Sequence, residues 1–208
     1  MTAPQPGDRA DRKKQTLTEM LRQRAAVLID PVAALLARYG VSPNVLTIGG
    51  MLAHFIVAWL ITQGMMAAAG VAILLIAPLD AFDGALARLQ QRPPAFGAFL
   101  DSTMDRLAEI ILFGGFIFYF GRQGDTLLVA TAYIALTGSL MVSYTRARAE
   151  ALGASCKVGI LSRVERYVLL TLFLFLNLPN VALIILAIFT YITVAQRIFH
   201  VWQQMNDA

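Results

Sequence analysis

Long apolar segments alternate with short polar segments along most of this chain of 208 residues. Because about 20 apolar residues form a helix that crosses a bilayer, we interpret six segments as transmembrane helices, at about residues 44–64, 66–89, 95–121, 126–144, 164–178 and 181–201. Residues 17–36 differ, since their apolar side chains fall on one side of a predicted helix, as in helices that lie on a membrane surface. The pattern therefore predicts an all-α integral membrane protein with six transmembrane helices and an N-terminal amphipathic juxtamembrane helix.

The polar beginning of the chain is expected to lie outside the helical domain. Residues 1–26 are polar and basic, and they lack the apolar core of a secretory signal peptide. We assign residues 1–16 to a polar N-terminal tail. Residues 17–208 contain no repeat and no low-complexity tract, so we expect them to form a single six-helix domain.

The overall composition supports the membrane class. Apolar residues make up 58% of the chain and charged residues 14%, whereas an average soluble domain is about half apolar and about a quarter charged. A soluble globule of this composition would have too little polar surface to cover its core. The single cysteine, Cys156, excludes an internal disulfide framework and a cysteine-based metal cluster.

Positive charge is distributed unevenly between the two predicted sides of the membrane. With six spans, 15 of the 17 Lys and Arg residues fall on the side of the termini, whereas Arg122 falls on the opposite side and Arg106 within the third span. Because cytoplasmic loops carry the excess of Lys and Arg, we expect a multi-pass protein of the plasma membrane with both termini in the cytoplasm. Nucleic-acid binding is not expected, since aromatic residues are not interleaved with these charges.

Acidic residues inside the predicted spans indicate a functional site on the cytoplasmic side. Asp80 and Asp83 lie three residues apart near the end of the second span. Asp101 and Asp105 lie four residues apart near the start of the third span, so each pair projects from one face of its helix. The short loop between these spans makes the two helices antiparallel neighbours and brings the carboxylates together. Four close carboxylates do not all stay ionised unaided, and a divalent cation, Mg²⁺ or Mn²⁺, would neutralise them.

An alternative interpretation is a set of buried salt bridges, in which the first two aspartates pair with Arg88 and Arg106. Two bases do not neutralise four acids, so salt bridges alone account for only part of the pattern. Glu109, also in the third span, is interpreted as structural and paired to Arg106 or to a neighbouring helix.

Small residues and an arginine accompany the two pairs of aspartates. Gly84 and Ala87 keep the surface of the second helix small, and Gly97 does the same one turn before Asp101. A glycine inside a helix costs about 1 kcal/mol, so close approach of a ligand or a helix is the expected reason. Arg88 offers a planar guanidinium that suits phosphate. Together these residues favour a phosphate-ester or pyrophosphate substrate at the membrane face.

The spacing of these residues resembles a family motif. Residues 80–105 contain the pattern Asp80-x2-Asp83-Gly84-x2-Ala87-Arg88-x8-Gly97-x3-Asp101-x3-Asp105. This pattern resembles the complete motif of the CDP-alcohol phosphatidyltransferase family, with eight matching positions over 26 residues. The segment Pro43-Asn44-x2-Thr47 is similar to the segment before the first span in that family, and the predicted juxtamembrane helix and six spans also fit it.

The resemblance implies a function in phospholipid biosynthesis and a role for each matching residue. The activity would be transfer of a phosphatidyl group from CDP-diacylglycerol to a small alcohol, with release of CMP. Two divalent ions, Mg²⁺ or Mn²⁺, would be held by the four aspartates of the motif, and Asp105 would also be the general base. The CDP-lipid pocket would be lined by Asn44, Thr47, Gly84, Ala87, Arg88 and Gly97.

The acceptor is expected to be a phosphorylated alcohol. Residues 143–150 and 163–166 resemble the phosphatidylinositol-phosphate synthase branch of the family. The resemblance implies that the acceptor phosphate is bound by Arg146, Arg166 and Arg197. Inositol phosphate is therefore the preferred prediction and glycerol phosphate the alternative, as in a phosphatidylglycerol-phosphate synthase. The three arginines could also be cytoplasmic anchors only, because loops on that side are basic in any case.

Two other classes of membrane protein use intramembrane aspartates. A prenyltransferase would need acidic clusters on two separated helix pairs, and this sequence has one cluster, at residues 80–105. An ion-coupled transporter usually contains a structural repeat, and none is visible in the sequence. A homodimer is expected from the habit of the family, and Gly49, Gly50, Gly114 and Gly115 would allow close contacts between helices.

Overall fold

Helices make up most of the chain that the computed structural model describes, which is residues 29–90 and 94–206. Within these two ranges every regular element is an α-helix, so the all-α prediction is confirmed. The helices are α1 (29–38), α2 (Pro43–Thr62), α3 (Met66–Ile76), α4 (Leu79–Leu89), α5 (Pro94–Arg122), α6 (Thr126–Ala151), α7 (Arg163–Phe175) and α8 (Pro179–Asn206).

The predicted juxtamembrane helix is described only in its second half. Residues 1–16, the predicted tail, lie outside the described residues, as do residues 17–28. In α1, Ala33 is fully buried, whereas Val32 and Leu35 are exposed. An exposed apolar side on α1 agrees with the amphipathic pattern read from the sequence.

Tight turns join most of the neighbouring helices. Gly64 follows α2 with φ of 75° and Gly124 follows α5 with φ of 74°, a backbone conformation that glycine adopts without steric cost. Asp125 then caps α6, because its side chain accepts a hydrogen bond of 2.9 Å from the backbone N–H of Leu128. These turns place consecutive helices beside each other with opposite directions.

Four of the six predicted spans correspond to helical segments that are long and apolar enough to cross a membrane by length and composition. The four segments are Pro43–Thr62, Met66–Leu89, Thr126–Ala151 and Pro179–Asn206. The third predicted span is a helix of 29 residues, α5, but it carries Asp101, Asp105, Arg106 and Glu109. The fifth predicted span, α7, has only 13 helical residues, which at 1.5 Å per residue reach about 20 Å of the roughly 30 Å hydrocarbon core.

The second segment is interrupted just before its acidic end. Helix α3 ends at Ile76, and Pro78 stands at the N-cap of α4. Proline is tolerated at the start of a helix because the first N–H groups have no partner within the helix. The break separates an apolar helix, α3, from a helix that carries the first two aspartates.

The core lies where α2, α3, α5, α6, α7 and α8 meet. It includes Val57, Ile61, Ile73, Phe116 and Leu183, which are all nearly inaccessible. Helix α2 packs against α3, α4 and α5, α6 packs against α5 and α8, and α7 packs against α3 and α8. Since α2 contacts both α4 and α5, it holds the two acidic helices in one place.

Two predicted dimer glycines differ sharply in their surroundings. A Cβ added at Gly115 would lie 2.9 Å from Cα of Ala58 in α2, whereas a Cβ added at Gly114 would have no neighbour within 4 Å. Gly115 therefore serves the contact between α5 and α2 within the chain.

The connection between α6 and α7 lies along α8. Thr193 accepts a hydrogen bond of 3.1 Å from the N–H of Leu161, and Arg197 Nε donates one of 3.0 Å to the carbonyl of Val158. Further along α8, the amide of Gln204 bonds both the N–H and the carbonyl of Ser155, at 3.1 and 2.8 Å. These contacts fix the path by which the chain reaches Arg163, the first residue of α7.

Candidate active site

The acidic residues of α4 and α5 meet on one side of α2. Asp80 lies in the first turn of α4, where a negative side chain is favoured by the partial positive charge of the helix N-terminus. One carboxylate oxygen from each of Asp80, Asp101 and Asp105 can be chosen so that all three lie within 4.8 Å of one another. The sequence prediction that the two acidic pairs come together is thus reproduced for three of the four aspartates.

The three carboxylates suit a hard divalent ion. Carboxylate oxygens are the ligands that Mg²⁺ and Mn²⁺ prefer, and the oxygens of an octahedral Mg²⁺ site lie about 2.1 Å from the ion, or about 4.2 Å from each other across it. Only a small closing movement of Asp80, Asp101 and Asp105 would therefore be needed to surround an ion. The donor set fits the metal that the sequence motif implies.

Asp83 lies beside this group and has a protein partner of its own. Its side chain is buried, and its Oδ2 accepts a hydrogen bond of 2.6 Å from the hydroxyl of Thr47 in α2. The charges of Asp80 and Asp101 both act on Asp83. Thr47 was expected in the CDP-lipid pocket, and its contact with Asp83 joins that predicted pocket to the acidic cluster.

Arginines surround the carboxylates. Arg163 Nη2 lies 2.9 Å from Asp80 Oδ2 and also contacts Asp105 Oδ1. Arg106 lies 3.5 Å from Asp105 and 3.8 Å from Glu109. Salt bridges are thus present, but among the described residues Asp80 and Asp83 form none with Arg88 or Arg106, and the main partner of the carboxylates is Arg163 of α7.

Glu109 and Arg166 form a second ion pair deeper in the bundle. Arg166 Nη2 lies 2.6 Å from Glu109 Oε1, and both side chains are almost fully buried. The expectation that Glu109 is paired to Arg106 or to a neighbouring helix is confirmed on both counts. Two successive ion pairs therefore join α7 to α5. Arg163 pairs with Asp105, and Arg166 pairs with Glu109.

The other residues of the motif lie on the same stretch of α4 or at the start of α5. A Cβ added at Gly84 would contact Arg88 Nη1 at 3.6 Å, and one added at Gly97 would have no neighbour within 4 Å. Ala87 is half-buried, and Arg88 is exposed. Asn44, half-buried in the first turn of α2, lies three residues before Thr47. These positions leave open space on one side of the aspartates.

The three arginines expected to bind the acceptor phosphate differ in their exposure. Arg146 in α6 is exposed and lies 2.8 Å from Glu150. Arg166 is buried against Glu109, and Arg197 in α8 is buried with its guanidinium bonded to the carbonyls of Val142 and Val158. The charges of Arg146 and Arg166 both act on Arg197, so residues far apart in the sequence come into one electrostatic neighbourhood.

A large, mostly apolar groove begins at the acidic cluster. Its volume is about 680 Å³, and it runs between α3 and α7. Asp80 and Arg163 line its polar end, and Leu74, Leu172 and Phe175 line the rest. Because the groove joins charged groups to a long apolar wall, it suits a molecule with a charged head and an apolar tail.

Three residues at this site were not predicted from the sequence. Arg163 falls within residues 163–166, which resemble the synthase branch, but no role of its own was predicted for it. Tyr167 lies under the guanidinium of Arg163, with 5.5 Å between Cζ and the ring centre, and its hydroxyl lies 3.4 Å from Nε2 of His54. His54 also lines the groove.

Comparison with known proteins places this arrangement in a family. A model of the CDP-alcohol phosphatidyltransferase family matches residues 40–202. This protein belongs to the CDP-alcohol phosphatidyltransferase family. The resemblance inferred from the aspartate motif is thereby confirmed, and the protein is an enzyme of the phosphatidyltransferase class.

Relatives of this phosphatidyltransferase include synthases named for inositol phosphate lipids. It is 38% identical to the archaetidylinositol phosphate synthase of Methanothermobacter thermautotrophicus, over 90% of this chain and 96% of that protein. A crystal structure of Mycobacterium tuberculosis phosphatidylinositol phosphate synthase with CDP-DAG bound matches with a TM-score of 0.80 and 31% identity, over 85% of this chain and 94% of that one. The same synthase in complex with manganese and citrate matches with a TM-score of 0.79 and 31% identity, over 84% and 88% of the two chains.

Proposed function

We propose that this phosphatidyltransferase transfers the phosphatidyl group of CDP-diacylglycerol to inositol phosphate and releases CMP. The observation that carries the proposal is the group of three carboxylates at the polar end of an apolar groove. The names of the similar synthases support the acceptor, since they differ in the lipid part but agree on inositol phosphate.

The four aspartates of the motif are proposed to hold two divalent ions, Mg²⁺ or Mn²⁺. Asp80, Asp101 and Asp105 have suitable oxygens within 4.8 Å of one another, and Asp83 lies next to them. Binding of manganese by the similar synthase supports this choice of ion. When bound, such ions would neutralise charge on the pyrophosphate of the donor as the bond to CMP breaks.

Asp105 is proposed to be the general base. Its carboxylate would take the proton of the acceptor hydroxyl, and the resulting alkoxide would attack the lipid-linked phosphorus while CMP leaves as an anion. A base within hydrogen-bond reach of the reacting hydroxyl contributes about a hundredfold or more to the rate. Asp105 is buried, and its carboxylate contacts Arg163, which lines the polar end of the groove.

The donor and the acceptor are proposed to use different sets of residues around the aspartates. Cytidine and the phosphates would be bound by the motif residues and the start of α2, namely Asn44, Thr47, Gly84, Ala87, Arg88 and Gly97. The acceptor phosphate would be bound by Arg146, Arg166 and Arg197. Arg146 has the most exposed guanidinium of the three, so we expect it to contact the acceptor directly.

In the membrane, six helical segments are proposed to cross, with both termini and the active site in the cytoplasm. Helix α5 carries too many charged residues to count as an apolar span. Its acidic side chains nevertheless lie inside the bundle, since Glu109 is 2% exposed and Asp105 is 8% exposed. The short α7 carries exposed apolar residues such as Val168 and Leu172, which suits contact with lipid. Plasma-membrane localisation, the single domain over residues 17–208 and a homodimer belong to the same proposal.

The acceptor is tested by measuring CMP release from CDP-diacylglycerol by the purified protein in lipid nanodiscs. Inositol phosphate should give the highest kcat/KM in a panel with inositol, glycerol phosphate and serine, and EDTA should abolish turnover. A higher value with glycerol phosphate would refute the proposed acceptor and favour a phosphatidylglycerol-phosphate synthase.

A variant separates the role of Asp105 as base from binding of the donor. Asp105→Asn should lower kcat by at least about a hundredfold while CDP-diacylglycerol still binds, as measured by equilibrium binding. Wild-type turnover by Asp105→Asn would remove Asp105 as the base, whatever the acceptor.

A further inference from the structure

A single nitrogen atom of Arg163 joins two of the carboxylates that are suited to metal binding. Arg163 Nη2 lies 2.9 Å from Asp80 Oδ2 and contacts Asp105 Oδ1. Asp80 belongs to α4 and Asp105 to α5, so the guanidinium of α7 bridges the two acidic helices. Both carboxylates are members of the group whose oxygens lie within 4.8 Å of one another. The guanidinium therefore contacts two of the three carboxylates that would hold an ion.

A guanidinium and a divalent ion compete for these carboxylates. Both are cations, and an ion about 2.1 Å from the carboxylate oxygens would be repelled by a guanidinium held between Asp80 and Asp105. We infer that Arg163 is a resident counter-cation, which neutralises Asp80 and Asp105 before metal binds and which divalent ions must displace. The inference rests on the proposed role of these carboxylates as metal ligands.

The surroundings of Arg163 allow this exchange. Its side chain is 31% exposed and lines the polar end of the groove, and its guanidinium stacks on the ring of Tyr167. Tyr167 is itself positioned by His54, whose Nδ1 lies 2.8 Å from the carbonyl oxygen of Gly50. Arg163 thus has an aromatic surface beside the carboxylates on which it can remain after it leaves them.

The neighbouring ion pair on α7 is much less exposed than the contacts of Arg163. Arg166, one turn along α7, is paired with Glu109 at 2.6 Å, and the two side chains are only 4% and 3% exposed. Arg106 also lies near Asp105, at 3.5 Å, but its pair is longer than the contact of Arg163. Helix α7 therefore presents one arginine enclosed in a buried ion pair and one accessible arginine at the carboxylates proposed to bind metal.

The inference is tested by Mn²⁺ binding without substrate. Full-length protein in detergent is freed of metal with EDTA, and Mn²⁺ affinity is measured from the loss of the free-ion EPR signal. Arg163→Gln should bind Mn²⁺ about tenfold more tightly than wild type, because an ion pair of intermediate exposure no longer competes. The metal-free Tm of Arg163→Gln should also fall, whereas its Mn²⁺-bound Tm should change less. Arg163→Lys, which keeps the charge, should stay close to wild type in affinity.

A matched control removes an arginine elsewhere. Arg122 lies at the far end of α5 and stacks on Phe118, so Arg122→Gln should change Mn²⁺ affinity by less than about twofold. Unchanged or weaker Mn²⁺ binding by Arg163→Gln would overturn the inference. Failure of the wild-type protein to bind Mn²⁺ at all would instead overturn the proposed metal site, so the two ideas fail in different ways.

A second measurement uses the wild-type protein, so its result does not depend on whether a variant folds. Phenylglyoxal modifies accessible arginines, and the extent at each site is read by peptide mass spectrometry. Addition of Mg²⁺ should raise the modification of Arg163 several-fold and leave Arg122 unchanged. Equal modification of Arg163 with and without Mg²⁺ would overturn the displacement.

Discussion

Glu109→Ala should destabilise the folded protein by about 3–5 kcal/mol, because it leaves the guanidinium of Arg166 buried without its counter-charge. The two side chains are 3% and 4% exposed, and their charged atoms lie 2.6 Å apart. Of its hydrogen-bond partners in the structure, the side chain of Arg166 would keep only the carbonyl of Leu161, at 3.4 Å. The cost is therefore mainly the burial of an unpaired charge.

A double variant separates the two contributions to this loss of stability, the unpaired charge and the lost packing. The double variant Glu109→Leu with Arg166→Met removes both charges and keeps side chains of similar length, so most of the lost stability should return. The matched control is the exposed pair of Arg146 and Glu150, which has a similar distance of 2.8 Å but side chains about half exposed. Glu150→Ala should cost no more than about 1 kcal/mol.

The assay is reversible unfolding in mixed micelles, in which SDS is titrated and helix content is followed by circular dichroism. If Glu109→Ala and Glu150→Ala lower the unfolding free energy equally, the buried pair has no special weight and the reasoning fails. If the double variant is as unstable as Glu109→Ala, the loss comes from packing at this position and not from the unpaired guanidinium.

Two further variants test individual contacts. Gly115→Ala should destabilise the protein by about 1–3 kcal/mol, since the new Cβ would lie 2.9 Å from Cα of Ala58, whereas Gly114→Ala has open space and should be neutral or slightly stabilising in the same unfolding assay. Thr47→Val should raise the Mg²⁺ concentration needed for half-maximal activity several-fold, since Asp83 loses a hydrogen bond of 2.6 Å. Thr47→Ser should restore the wild-type value, and a Thr47→Val enzyme with normal Mg²⁺ dependence would argue against a positioning role for the hydroxyl.

The helices and the acidic cluster could be predicted from the sequence because both depend on local spacing. Apolar segments of about 20 residues are visible without any knowledge of the fold, and α6 and α8 contain the predicted segments and extend each by seven residues. The spacing of Asp101 and Asp105 puts both carboxylates on one helix face whatever the rest of the chain does. These features required no tertiary information.

The partners of the carboxylates could not be predicted in the same way. Arg163 and Asp105 are 58 residues apart, and nothing in the local pattern distinguishes Arg163 from Arg166 or Arg148 as the contact of Asp105. The choice is made by the turns and by the hydrogen bonds that lay residues 155–161 along α8. The internal partners of the charges in α5 were not predictable for the same reason, because the mean apolar character of a segment does not show which residues pack against it.

The net charge of the groups inside the bundle would change sign when two divalent ions bind. Asp80, Asp83, Asp101, Asp105 and Glu109 face three guanidiniums, those of Arg106, Arg163 and Arg166. With every group ionised the cluster carries two negative charges, so it attracts cations and repels a pyrophosphate. Two divalent ions, as proposed, would reverse the sign to two positive charges, which match the two negative charges of the pyrophosphate in a CDP-lipid. Metal binding would then precede donor binding for an electrostatic reason, and displacement of Arg163 from the carboxylates would leave its positive charge at the polar end of the groove.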